Sequence, residues 1–166
     1  MRKNPDVSVG VLVLDKGRIL LVLNKEEPNK VLPSGRSFYK PSKWGLPTGR
    51  GEPEDEDSMD TAARETLEET GLFVEVDERT RIVEQAETHL NVGFVGYPVG
   101  GSLRPNSEEI LDCRWFPVRV LRNPDLLKKI LGDNKAEMHI GHLRRAQKLF
   151  EIVCSSGRNI GAGKYS

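Results

Sequence analysis

The stretch from Ser58 to Gly71 leaves the fold the least freedom. Its pattern predicts a helix over Ser58–Thr70. Steps of about 100° per residue then put Glu65, Glu68 and Glu69 on one face, with Met59, Ala63, Thr66, Leu67 and Thr70 on the roughly opposite face, expected to bury. Three carboxylates at i, i+3 and i+4 repel one another on a helix. Such a face is either left in water, the commoner case, or built to hold a cation. The framing favours the cation. Leu46-Pro47-Thr48-Gly49-Arg50-Gly51-Glu52-Pro53 is a turn-rich loop leading into the helix, and Gly71 is the stop expected at its end. Asp55, Glu56, Asp57 and Asp60 gather at the start, where the helix dipole favours negative charge. Arg64 stands four residues before Glu68 and is expected to pair with it.

With its loop, this segment resembles the signature of the Nudix hydrolases, a glycine followed by an acid and then R-E-U-x-E-E-x-G-U with U aliphatic. Arg64, Glu65, Glu68, Glu69, Gly71 and Leu72 match position for position, and Leu46-Pro47 and Gly49 match the lead-in. There are three departures. Thr66 fills the first aliphatic slot, where its methyl can still pack. Thr48 replaces the first glycine of a pair. Eight residues rather than seven separate Asp55 from Arg64, so either Asp55 or Glu56 stands in for the family's upstream acid.

The resemblance implies an α/β fold, an α/β/α sandwich around a mixed β-sheet. It also implies a Mg²⁺- or Mn²⁺-dependent hydrolase that cuts the diphosphate of a nucleoside diphosphate linked to another group. Glu65, Glu68 and Glu69 would be the carboxylate ligands, and Thr48 matches the position that supplies a backbone carbonyl. Hard ions of this kind take oxygen donors and share phosphate oxygens with the substrate. Arg64 would orient the glutamates. A general base could come from Glu108 or Glu109 in the loop before a late strand; both read equally well as solvated acids. His89, at a strand start, reads better as structural, and Glu52 ranks below these as a contact to metal through water.

Arg36, Phe38, Tyr39, Lys40 and Lys43 mix cations with aromatics near the loop. Arg36, Tyr39 and Lys43 are the candidate substrate contacts, by stacking and phosphate contact; the alternative is a plain surface loop, and Trp44 reads as core. Subgroup marks for ADP-ribose hydrolases (a proline) and diadenosine polyphosphate hydrolases (a tyrosine) fall near Thr88-His89-Leu90, and neither residue is there. The substrate class therefore stays broad, ADP-ribose-like or dNTP-like. A Nudix-like nucleotide-binding or regulatory module without catalysis is the alternative, opposed by the intact Arg64, Glu65, Glu68 and Glu69. An acidic surface outside catalysis is remoter still, since Glu52–Asp60 lacks the spacing of a calcium loop.

The 166 residues carry 25 Lys plus Arg and 25 Asp plus Glu, so no global basic field argues for nucleic acid as a partner. Cys113 and Cys154 are far apart and not in metal-like spacing, and MRKNPDVSVG lacks a signal-peptide hydrophobic region. The expectation is a soluble cytoplasmic protein with a nucleotide-like substrate and no membrane partner. Family members are often dimers, so a homodimer is allowed. One domain is expected over residues 1–154 and a flexible Gly/Ser-rich tail over 155–166.

Strands are expected at Val7–Leu14 and Ile19–Leu23, joined as a hairpin by Asp15-Lys16-Gly17-Arg18, and at Lys43–Leu46, Phe73–Val76, Thr80–Glu87, His89–Val99 and Leu111–Val118. Asn24–Pro41 and Gly100–Ser107 read as loops, and Asn123–Leu131 and Ala136–Val153 as helices.

Overall fold

The computed structural model describes residues 6–31, 34–51, 55, 57–86, 89–106 and 108–156. Nine strands and three α-helices are found among them: β1 (Asp6–Asp15), β2 (Arg18–Asn24), β3 (Glu27–Val31), β4 (Ser37–Lys40), β5 (Trp44–Gly45), β6 (Thr48–Arg50), α1 (Ser58–Thr70), β7 (Leu72–Gln85), β8 (His89–Gly101), β9 (Ile110–Pro117), α2 (Leu126–Leu131) and α3 (Ile140–Ser155).

Seven strands form one mixed sheet in the order β5-β2-β1-β8-β7, with β6 also on β1 and β9 also on β2. The β1–β8 pair is parallel, Asp6 with His89 through Val13 with Gly96, and the other pairs are antiparallel. The apolar runs of β1 and β2 lack polar alternation because both faces are covered. Val9, Val11, Val13, Leu20, Val22 and Phe94 pack with Ala62 of α1. Leu12, Leu14, Ile19, Leu21 and Val95 pack with Leu127 of α2 and Leu143, Ala146 and Leu149 of α3. Each such side chain, fully buried, contributes roughly 1.5–3 kcal/mol. The result is the α/β/α sandwich.

A fork in the sheet positions the site. Strand β1 pairs with β2 only beside the turn, at Leu14–Ile19 and Asp15–Arg18, and gives Ser8–Gly10 to β6 instead. The chain crosses from β5, which lies on β2, to β6, which lies on β1, through Leu46-Pro47, and the Pro47 carbonyl accepts the Val11 N–H at 3.1 Å.

The hairpin turn has positive φ at Lys16 (49°) and Gly17 (77°), the backbone that matches strand twist. Other elements depart from the expected ones. Asn24–Pro41 is not all loop: β3 and β4 form a separate two-stranded sheet, held by its ladder with little apolar burial and so without hydrophobic alternation. The two strands expected at Phe73–Val76 and Thr80–Glu87 are one, β7, with a bulge between Asp77 and Ile82. There the Thr80 hydroxyl donates to the Asp77 carbonyl (2.6 Å) and accepts the Val95 N–H (2.8 Å). Strand β8 runs on into the expected loop as far as Gly101.

Helix α2 begins at Leu126, not Asn123, and α3 at Ile140, not Ala136. Met138, inside the expected helix, lies instead buried in extended backbone bridged to Trp44, with the Glu137 carbonyl accepting the Trp44 N–H at 3.0 Å. The expected tail, 155–166, lies beyond the described residues except for Ser155 and Ser156. Among the described residues both cysteines are free, and no helix is long and apolar enough to cross a membrane.

Candidate active site

Helix α1 is delimited by its own chemistry. The Asp57 carboxylate accepts the Met59 and Asp60 N–H groups, and Gly71 closes the helix with φ 79°. Its buried positions are Thr61, Ala62, Thr66, Glu69 and Thr70, so the helix is rolled relative to expectation: Glu69 turns inward, while Met59, Ala63 and Leu67 are only partly covered. Two partnerships allow this. Thr66 and Thr70 satisfy their hydroxyls on the Ala62 and Thr66 carbonyls (2.8 and 2.6 Å), and Glu69 accepts the Thr48 N–H at 3.0 Å.

Strand β6 brings Gly49 against Glu65. A Cβ on Gly49 would stand 1.9 Å from the Glu65 carboxyl carbon, so no larger residue leaves that carboxylate in place. Arg64 ties the loop to the helix. Its guanidinium grips Asp55 with two hydrogen bonds of 3.0 and 2.9 Å, donates to the Arg50 carbonyl at 3.0 Å, and reaches Glu65 at 2.9 Å and Glu68 at 3.2 Å. Arg64 thus pairs with Glu68 as its spacing predicts, while its two-pronged partner is Asp55. Asp55 fills the upstream acid's place, anchored also by the Thr61 hydroxyl at 2.8 Å. Glu56 and Glu52 lie outside the described residues.

The sequence model of the NUDIX domain matches residues 4–137, most of the chain. The chain belongs to the Nudix family of hydrolases. No curated protein shows significant sequence similarity to it. Among solved structures it is similar to a Nudix hydrolase from Nitrosomonas europaea (19% identity, 89% of this chain and 90% of the other, TM-score 0.57). It is also similar to an ADP-ribose pyrophosphatase from Streptococcus suis (18%, 96% and 97%, 0.58) and to a UDP-X diphosphatase (17%, 97% and 68%, 0.61). At these identities the structures share the fold.

In this Nudix domain burial governs the electrostatics of the carboxylates. It pushes Glu69 up to about 8, with Glu65 and Glu109 adding to the rise and the Thr48 N–H and Lys40 opposing it. Glu65 is raised for the same reason, against the pull of Arg64. Glu68 is the solvent-facing member, its side chain 52% exposed. Glu109 thus bears on both inner carboxylates. It sits with Glu108 in an exposed turn before β9, where the Asn106 side chain accepts the Glu108 N–H at 3.0 Å and the Asn106 N–H reaches the Glu69 carbonyl at 3.1 Å.

The remaining candidates scatter. Arg36 is exposed just before β4, Tyr39 donates its hydroxyl to Glu26 at 2.5 Å, and Lys43 pairs with Glu137 at 3.2 Å. Lys40 is the cation of that cluster that acts on Glu69. His89 opens β8 in register with Asp6, and Trp44 is core, edge-on to Phe116 with centroids 5.1 Å apart. The sequence reading found the helix α3 but missed its part in the site. His142 supports the loop through Leu46, and Arg145 ends beside Thr48. Gly10 and Gly93, inside strands, were the available signal, because a strand glycine marks close approach by another group.

Proposed function

We propose that the chain is a divalent-metal-dependent hydrolase that cleaves the diphosphate linkage of a nucleoside diphosphate joined to another moiety. The seat of Glu69 carries this reading: a carboxylate only 4% exposed, fixed by the Thr48 amide and flanked by Glu65 on the same helix. Oxygen donors of this kind suit Mg²⁺ or Mn²⁺, and a desolvated carboxylate gains most from meeting a dication. Among the described residues no three His, Cys, Asp or Glu side chains come close enough to grip an ion unaided. The coordination would therefore be completed by water and the substrate's phosphate oxygens.

Glu65, Glu68 and Glu69, with the Thr48 carbonyl, would hold the ion. An ion held there would supply charge neutralisation for the diphosphate and a lowered pKa for a bound water. Arg64, itself held by Asp55, positions Glu65 and Glu68 directly. Glu109, with Glu108 as its neighbour, is the candidate base, since it bears on both inner carboxylates. Arg36, Tyr39 and Lys43 are candidate substrate contacts on the β3–β4 side, with Lys40 added. The setting proposed is one domain over residues 1–154, working in the cytoplasm on a nucleotide-like substrate, alone or as a homodimer.

The test is a panel of ADP-ribose, UDP-linked compounds, nucleoside triphosphates, dinucleoside polyphosphates and NADH, incubated with Mg²⁺ or Mn²⁺, with Glu69→Gln alongside. The fold neighbours named for ADP-ribose and UDP-X put those two first. Metal-dependent monophosphate release that the variant loses is the expected result. A folded protein inert on the whole panel would favour the non-catalytic binding module.

A further inference from the structure

Thr48, Gly10, Gly93 and Ile82 lie side by side across four strands, β6, β1, β8 and β7. The two glycines leave a trough in the sheet face beneath α3, and the side chain of Arg145 fills it. A Cβ at Gly93 would lie 3.1 Å from the Arg145 Cδ; one at Gly10 would lie 3.2 Å from its Nη1 and 3.2 Å from the Thr48 methyl. One guanidinium nitrogen and the Thr48 methyl thus flank the same point over Gly10, and Thr48 is the β6 residue whose amide holds Glu69. Arg145 is only 7% exposed, and its Nε has no hydrogen-bond partner.

Among the described residues its charge is answered only in part. Lys40 and Arg145 both bear on His139 and His142. The one carboxylate that acts on Arg145, Glu84, is already paired with Lys148 at 2.9 Å. A guanidinium does not lose its proton in a protein and presents five donors in a planar fork. Burying one without an acceptor destabilises the fold, so its retention at this place calls for an acceptor that arrives with a ligand.

We propose that Arg145 is an anion-binding subsite: it receives a phosphoryl or carboxylate group of the substrate on the α3 side of Thr48, while the linkage to be cut lies on the α1 side at Glu65 and Glu69. This rests on reading the cleft around Thr48 as the substrate site, and it narrows the substrate to one with an anionic group in reach of both faces of β6. Lys40 acts both on Glu69 and on His139 and His142 at the start of α3.

Calorimetric titration in metal-free buffer tests this apart from turnover, with inorganic pyrophosphate as the phosphoryl probe and malonate as the carboxylate probe. The wild type should bind at least one probe. Arg145→Gln should weaken that binding at least tenfold, and Glu69→Gln should preserve it. Arg145→Lys keeps the charge and the aliphatic stem, so it guards against misfolding, yet it loses the fork and should also bind at least tenfold more weakly. Equal binding by the wild type and the folded Arg145 variants, or no binding of either probe by the wild type, overturns the proposal. If the substrate panel shows no turnover but probe binding depends on Arg145, the hydrolase reading falls and the subsite stands. Turnover with an unchanged KM in Arg145→Gln sinks the subsite alone.

Discussion

The backbone N–H of Leu46 donates to Nδ1 of His142 at 3.0 Å, so a side chain on α3 holds the loop that delivers Thr48 to Glu69. The contact is close enough to dictate the neighbouring residue: a Cβ on Gly45 would lie 2.4 Å from the same nitrogen. Only a neutral imidazole can accept that bond, and burial keeps it neutral, lowering His142 to about 3 from the ordinary 6.5.

Acid should therefore release the loop. Because the folded value lies below the unfolded one, the unfolded chain takes up the proton first. The contribution, up to ~5 kcal/mol, is fully present above the ordinary histidine range and is lost as pH falls toward the folded value. Thermal melts at pH 7.5 and 4 should show a larger loss in the wild type than in His142→Gln, which keeps an acceptor and does not titrate. Parallel losses in the two proteins would remove His142 as the cause.

Gly49→Ala should separate activity from stability. The added methyl displaces the Glu65 carboxylate, while that flexible side chain can rotate away at a cost of about 1 kcal/mol. Steady-state assays with the best panel substrate should show kcat/KM falling on the order of a hundredfold, with the melting temperature down by only a few degrees. Full activity would mean that Glu65 is not needed where it stands.

Asp55→Ala leaves the Arg64 guanidinium without its two-pronged partner at a site where the Asp55 side chain is 8% exposed and that of Arg64 22%. A loss of roughly 3 kcal/mol in denaturant unfolding is expected. The Mg²⁺ concentration giving half-maximal activity should rise as well, since Arg64 also orients Glu65 and Glu68. If stability falls and the Mg²⁺ requirement does not move, Asp55 serves the fold only.

Adding Mg²⁺ to the substrate-free protein should raise its melting temperature, by about 2.7 kcal/mol of stabilisation at a hundred times Kd. Glu69→Gln should already melt higher than the wild type in metal-free buffer, because a neutral isostere replaces a buried carboxylate, and it should gain little from Mg²⁺. A Mg²⁺ response of equal size in the variant would exclude Glu69 as a ligand.

Much of this was legible in the residues themselves. The limits of α1 follow from Asp57 and Gly71, and the β1–β2 turn from Lys16-Gly17, because each depends on neighbours in sequence. The same holds for the glutamate face as a face. Its rotation was not legible, since Glu69 turns inward only because the Thr48 amide comes from another strand. The role of Asp55 was half legible: spacing offered it as one of two acids, and its two hydrogen bonds from Arg64 appear only in the structure. His142 and Arg145 carry no mark within their own helix, and only the sheet register that sets Gly10 beside Gly93 shows where Arg145 lies. The β3–β4 hairpin was invisible because its pairing is carried by backbone bonds and not by buried side chains.

The parallel pairing of β1 with β8 sets the order in which the molecule can be assembled. Every pair in that ladder joins residues eighty-three positions apart, from Asp6 with His89 to Val13 with Gly96. On a ribosome adding about 5–20 residues per second, β1 emerges first and waits several seconds for its central partner. Until then this largely apolar strand has only the β2 hairpin and short β6 beside it, and one long edge stays open. Nucleation with such distant partners is slow, so the nascent chain should depend on chaperones most strongly in the interval before β8 is released.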